Sequence, residues 1–224
     1  MIGFGQDFQK SFEVSGLVGI SLNNTEQDFT SDNLTKESVR SFTEGVALQY
    51  NISPLLSFNC KIMYHIKGVQ YYWDNITRTD ITGTIIGLTN LDEKNTHHYL
   101  SFPIVVRFNF GENIKFFGDI GFYSGYLLKS MQEISYPSLT LPGGVTYPEQ
   151  NQKNEISLDN INRVDFGGIL GAGVSYAITE QIAVLFEYSS HIGLTDFSMD
   201  KYSYYNRSNT LMLGCSYNLI STEK

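Results

Sequence analysis

Leu56-Ser57-Phe58-Asn59-Cys60-Lys61-Ile62-Met63-Tyr64-His65-Ile66-Lys67-Gly68 decides how the rest of the chain is read. Leu56, Phe58, Cys60, Ile62, Tyr64 and Ile66 form one row; Ser57, Asn59, Lys61, Met63, His65 and Lys67 form the other. Successive side chains of a strand point to opposite faces, so this segment has one apolar face and one polar, charged face. The same period of two recurs along the chain, with Phe102, Val106 and Phe108 set against Ser101 and Arg107, and Val184 and Phe186 against Glu187 and Ser189. The spacing predicts strands roughly within 11–22, 39–52, 55–68, 98–110, 115–129, 163–177, 182–194 and 207–219.

The predicted connections alternate in length. Those near Ile52-Ser53-Pro54, Gly111-Glu112-Asn113 and Thr179-Glu180-Gln181 are tight, whereas 23–38, 69–97, 130–162 and 195–207 are long and polar. Short turns on one rim, long loops on the other and both termini on the short-turn rim describe a single-domain, all-β, eight-stranded antiparallel up-and-down barrel that crosses a membrane. Ten strands would follow if 69–97 or 130–162, read as hairpins above the membrane, also crossed it.

Composition agrees with this class. The 224 residues carry 15 Lys+Arg against 23 Asp+Glu for a net charge of −8, with 17% charged and 14% aromatic residues and 20 Gly. So few charges argue against a coiled coil or a disordered chain, and the acidic balance argues against nucleic acid as a partner. Cys60 and Cys215 fit neither a disulfide framework nor a metal spacing. No run approaches the ~20 apolar residues of a membrane helix. Met1 to Gln6 lacks the basic and apolar regions of a signal peptide, so any export signal is expected to have been trimmed.

Alternation alone does not say which face is inside. A soluble lipocalin-like carrier would place the apolar row inward. Three features favour the inverted arrangement: strands longer than the ~9–11 residues of a tilted span, polar rows rich in Gly and Ser with few charges, and aromatics such as Phe42, Tyr50, Tyr64, Phe116, Tyr126, Tyr176, Tyr188 and Tyr217 near the ends of the apolar rows, where interfacial girdles lie. Phe58, Ile62, Phe102, Val106, Phe108, Ile120, Phe122, Val184, Phe186 and Leu213 are then expected to face lipid. Glu13, Lys61, His65, Lys67, Arg107, Asp119, Tyr123, Asp165, Glu187 and His191 are expected to form a polar network in the interior. About eight strands enclose a space that side chains fill, so the opposite charges should pair and plug it. Counting back from the turn at Gly111 sets Arg107 nearly opposite Asp119 on one face, an expected ion pair.

Tyr99-Leu100-Ser101-Phe102-Pro103-Ile104-Val105-Val106-Arg107-Phe108, followed by Phe117-Gly118-Asp119-Ile120-Gly121-Phe122-Tyr123-Ser124-Gly125-Tyr126-Leu127-Leu128, resembles the central hairpin of the PorT-like outer-membrane β-barrel family of Bacteroidetes. Asp165-Phe166-Gly167-Gly168, Gly171-Ala172-Gly173, Phe186-Glu187-Tyr188 and Gly193-Leu194-Thr195-Asp196 continue the likeness. The resemblance implies a Gram-negative outer-membrane barrel, its long loops outside and its termini periplasmic. It does not carry over the secretion role of the family's founding member. Such barrels usually finish on a terminal aromatic; here Tyr217 is followed by Asn218-Leu219 and by Ile220 to Lys224.

Candidate chemistry is sparse. Gly168-Ile169-Leu170-Gly171-Ala172-Gly173 imitates a dinucleotide-binding loop, but Tyr176 stands at the third glycine and no crossover helix fits before the next strand. Glu187, Ser189 and His191 share a face, with His65 and Lys67 at similar height, and would serve an outer-leaflet lipid-modifying enzyme. Spacing of two sets such side chains ~7 Å apart, beyond hydrogen-bond reach. His97 and His98 should face opposite ways and not share a metal. The expectation is therefore a barrel of structural, binding or accessory function, in a secretion or uptake assembly or outside one. It needs no catalytic residue, metal or cofactor; its partners are outer-membrane lipid and, through the external loops, a protein.

Overall fold

A computed structural model describes residues 11–27, 31–79, 82–198 and 203–219, leaving the side chain of Asn160 aside. The readings made above on Met1 to Gln6 and on Ile220 to Lys224 lie outside the described residues. The elements are β1 (Ser11–Gln27), β2 (Leu34–Asn51), β3 (Leu56–Thr79), β4 (Ile85–Phe110), β5 (Ile114–Tyr136), β6 (Leu139–Thr140), β7 (Thr146–Tyr147), β8 (Gln150–Glu155), a one-turn 3-10 helix (Leu158–Asn160), β9 (Val164–Ala177), β10 (Ile182–Gly193) and β11 (Tyr204–Asn218). Every ladder between neighbours is antiparallel, and β1-β2-β3-β4-β5-β9-β10-β11 closes on itself through β1 and β11, a ring of eight strands. The ring is an up-and-down barrel without a free edge at its waist.

The ring is inside out relative to a soluble barrel. Phe58, Ile62, Phe102, Phe108, Ile120, Phe122, Val184, Phe186 and Leu213 are all exposed, and Val106, on the same face, is half-exposed. The buried set is mostly polar: Lys61, Lys67, Arg107, Asp119, Asp165 and Glu187 are each at most 6% exposed. This excludes the soluble-carrier arrangement, because an apolar belt wetted all round would forgo the hydrophobic term that drives folding in water. Aromatics edge the belt, and Phe12 stacks on Tyr50 with ring centroids 4.7 Å apart at the turn end.

Four connections differ from the sequence expectation. The segment 69–97 is not a loop: β3 runs on to Thr79 and β4 begins at Ile85, so that strands of 24 and 26 residues rise far above the belt. β5 likewise continues to Tyr136, β1 continues to Gln27 with β2 starting at Leu34, and β11 starts at Tyr204. On β3 the cause is a reversal of phase, whereas on β1 and β4 both rows are polar above the belt, with Asn23 and Thr25 of β1 and Glu93 and Asn95 of β4 still facing inward. Up to Ile66 the apolar residues of β3 point outward, but Val69, Tyr71 and Trp73 continue the inward row of Lys61, His65 and Lys67. Above the belt water lies outside, so the alternation changes sign while the strand continues.

The ten-strand alternative is not realised. Within 130–162, β8 pairs only the upper half of β5, from Met131↔Glu155 to Tyr136↔Gln150, where β9 has already left it at Tyr126↔Val164. β6 and β7 form a small hairpin at the tip. Arg78 holds it in place by donating to the carbonyls of Pro137 at 3.0 Å and Pro148 at 3.2 Å, with its guanidinium carbon 5.4 Å from the Tyr136 ring centroid.

Candidate functional site

The inward rows build the site in storeys along the barrel axis. Nearest the turns, Arg107 of β4 and Asp119 of β5 are register partners and make a two-pronged contact, Nε to Oδ1 at 2.8 Å and Nη2 to Oδ2 at 2.7 Å. Arg107 also reaches Oε2 of Glu187 at 2.8 Å and Oε1 of Gln49 at 3.2 Å, and its guanidinium lies 3.6 Å from the centroid of the Phe117 ring. Lys61 of β3 donates to the other oxygen of Glu187, from across the lumen. Two cations and two carboxylates thus satisfy one another, the condition under which buried charge is tolerated.

Beside this quartet Leu17, Ala47, Met63, Leu185 and Met212 pack as an apolar plug. Further up, His65 and His191 meet edge to face with centroids 5.4 Å apart, and Ser21 bonds Nε2 of His65 at 3.0 Å. Asp165 of β9 is the centre of the next storey. It accepts from Lys67 Nζ at 2.7 Å, from Asn206 Nδ2 at 3.0 Å and from the Tyr123 hydroxyl at 3.3 Å, while the Lys67 ammonium sits 4.1 Å from the Tyr123 ring centroid. Glycines make the room. A Cβ at Gly167 would lie 2.7 Å from Cε1 of Tyr123, and one at Gly173 would collide with the Phe117 ring and the Phe186 carbonyl. Gly167 and Gly173 are small because the bulky inward residues of β5 lie over them.

Above Lys67 the lumen opens into a vestibule of about 530 Å³, whose wall includes Val69, Tyr71 and Trp73 of β3, Glu93 and Asn95 of β4, and Phe197. Tyr71 donates to Gln27 Oε1 at 2.7 Å, and burial, followed by the proximity of Tyr204 and Glu93, pushes its hydroxyl well above the ordinary tyrosine range, so it stays a neutral donor. Glu93 Oε1 accepts from Asn95 Nδ2 at 2.9 Å and from Gln132 Nε2 at 2.7 Å. Trp73 Nε1 and Asn95 Oδ1 are buried with no hydrogen-bond partner. Leaving such groups unpaired costs ~1–3 kcal/mol each.

The family model for an outer membrane protein beta-barrel domain matches residues 4–198. The chain belongs to that family. No curated protein matches it. Among solved structures this outer-membrane barrel is similar to Ail, the attachment invasion locus protein of Yersinia pestis, at 13% identity and TM-score 0.38 over 93% of this chain and 99% of Ail. It is similar to Neisserial surface protein A at 14% identity and TM-score 0.40 over 94% of this chain and 99% of that one. It is also similar to the N-terminal beta-barrel domain of Pseudomonas aeruginosa OprF, at 10% identity and TM-score 0.33 over 91% and 99%.

The barrel brings Lys61, Arg107, Asp119 and Glu187 into one cluster and Lys67, Tyr123 and Asp165 into another, with His65 and His191 paired through their rings. Glu13 stands apart. It is half-buried at the turn-end mouth, where its Oε1 accepts from Asn51 Nδ2 at 2.7 Å. The expected separation of Ser189 from His191 is overturned, since Ser189 Oγ lies 3.2 Å from His191 Nε2. The two-residue rise sets the Cα spacing, but an imidazole is long enough to reach along the strand. The pair is enclosed, with Ser189 2% and His191 7% exposed, and Glu187 is committed to Lys61 and Arg107, so these three residues do not form a relay open to the outside of the barrel. His97 points inward and bonds Ser130, whereas His98 points outward to the Tyr64 hydroxyl. Gln49 and Asn206 complete the clusters and were not singled out in the sequence; their inward phase on β2 and β11 is the signal that could have found them. The vestibule residues Trp73, Glu93 and Asn95 were read as loop, and only the reversal of alternation after Gly68 could have placed them.

Proposed function

We propose that this outer-membrane barrel is a sealed structural or accessory component whose business is done above the membrane, not through it, and that it is not an enzyme. The observation that carries the reading is the pair of buried charge clusters across the lumen, Arg107–Asp119–Glu187–Lys61 and Lys67–Asp165. Ions crossing the barrel would have to break contacts whose partners have no water to fall back on. The long strands point out of the cell and the short turns and termini face the periplasm, in keeping with the loop asymmetry of such barrels. The exposed ends of β3, β4, β5 and β8 then form an external sheet offered to a protein partner, in a secretion or uptake assembly. The hairpin 99–128 favours the PorT-like branch of Bacteroidetes.

Reconstitution in a planar bilayer tests the seal. The full chain is expected to give no conductance steps, and Lys61→Ala with Glu187→Ala, which empties part of the plug, is expected to give small ones. Regular openings by the unaltered protein would refute the reading.

A further inference from the structure

The vestibule above Lys67 is a blind cavity under the proposed function, and it has the chemistry of a binding site. We propose that it binds a neutral saccharide, with Trp73 and Tyr71 against the sugar ring and Asn95, Glu93 and Gln132 reading its hydroxyls. The inference rests on the sealed, outward-facing barrel proposed above.

Four observations support it. The volume, about 530 Å³, is of the order that holds a small ligand, ~300–1,000 Å³. Tyr71, Trp73, Phe197 and Tyr204 supply aromatic surface for the apolar C–H face of a ring. Glu93, Asn95 and Gln132 are already linked to one another by hydrogen bonds, which fixes their side chains at the wall before any ligand arrives. Finally, Trp73 Nε1 lacks an acceptor and Asn95 Oδ1 lacks a donor.

That last pair discriminates between ligand classes. Both atoms are closed off from the cavity and come within reach only when the Trp73 and Asn95 side chains turn; a hydroxyl both donates and accepts, so a polyol can then satisfy both. A quaternary ammonium would use the aromatics and Glu93 but leave both groups unpaired. A hydrocarbon would leave them unpaired too. An anion meets Glu93 on a chain of net charge −8, and no Lys or Arg lines the cavity among the described residues.

Trp73 is the only tryptophan, so its emission reports on this cavity alone. The full chain, folded in detergent and checked by heat-modifiable migration, is titrated with maltotriose and with diacetylchitobiose, and with choline chloride in parallel. A saturable change in Trp73 emission with at least one sugar and none with choline is expected. Asn95→Leu and Glu93→Gln should each weaken that binding about tenfold, the worth of one buried hydrogen bond. If Asn95→Leu does not fold, Glu93→Gln carries the test alone. No saturable response to either sugar, a response to choline only, or unchanged affinity in a folded variant overturns the site. Swelling of liposomes in maltotriose separates the two failures: sugar flux refutes the seal while leaving the site, whereas silence in both assays refutes the site while leaving the seal.

Discussion

Arg107→Met is the sharpest test of the interior. Arg107 makes four hydrogen bonds, two to Asp119 at 2.7 and 2.8 Å, one to Glu187 at 2.8 Å and one to Gln49 at 3.2 Å. The two carboxylates differ in what they keep when it is gone. Glu187 retains Lys61, but the Asp119 side chain, 2% exposed, has no other ion-pair partner among the described residues. Methionine fills much of the space beside Phe117 yet leaves that carboxylate buried and uncompensated, so a loss of about 3–5 kcal/mol is expected. Removing the stranded carboxylate in the same chain, Arg107→Met with Asp119→Leu, should return the barrel to within ~1–2 kcal/mol of the original, because a buried pair replaced by apolar groups is often neutral. Arg107→Met with Glu187→Gln should recover little, since it leaves Asp119 as stranded as before and takes a partner from Lys61. Reversible urea unfolding in large vesicles, read by heat-modifiable migration and far-ultraviolet circular dichroism, measures all three. A single variant as stable as the original, or an Asp119 double variant as unstable as the single, would refute this account of how the plug holds.

Gly173→Val should destabilise by about 1–3 kcal/mol in the same unfolding assay, with Phe117→Leu recovering only part, because the Phe186 carbonyl remains in the way. On the outer face, Ile62→Arg and Phe186→Arg should each cost about 2–4 kcal/mol in a bilayer, whereas Gln70→Arg, further along β3 in the same outward phase, should stay within ~0.5 kcal/mol because it lies above the belt. The Lys153 ammonium, hydrogen-bonded to Glu133, holds that carboxyl below its usual value of 4.5. A lowered carboxylate stabilises the folded form above the unfolded value and stops doing so as pH falls through the folded one. Amide-exchange protection of β8 should therefore be level above about pH 4.5 and decline below it, by a small, salt-sensitive amount, since both side chains are largely solvated.

Much of the barrel was legible in the chain because lipid on one side and a crowded lumen on the other impose one strict period over about ten residues per strand. The Arg107–Asp119 contact is equally local. It depends on counting through a tight turn at Gly111, which the antiparallel register then enforces. Lys61–Glu187 and Lys67–Asp165 are different in kind. They join residues 126 and 98 positions apart across the lumen, and an alternating pattern gives the face of each strand but neither its azimuth nor its height relative to strands it does not touch.

The strand ends were illegible for a physical reason that also marks where the membrane stops. β3 passes through two environments with one backbone geometry. Phe58, Ile62 and Tyr64 turn outward beside Lys61, His65 and Lys67 turned inward; past Gly68 it is Gln70 and Tyr72 that turn outward, and Val69, Tyr71 and Trp73 that turn inward. A detector of apolar rows loses its signal at that crossing, since each row changes character there, and the strand seems to end. The crossing falls one residue after Lys67, whose ion pair with Asp165 is the uppermost charge contact of the two interior clusters. Outside, lipid gives way to water; inside, a packed polar lumen gives way to an aromatic cavity. The two changes coincide because the partition of side chains between the faces is set by what lies outside the wall. Once water is there, the polar row moves outward, and the aromatic residues it displaces have only the mouth of the barrel to line.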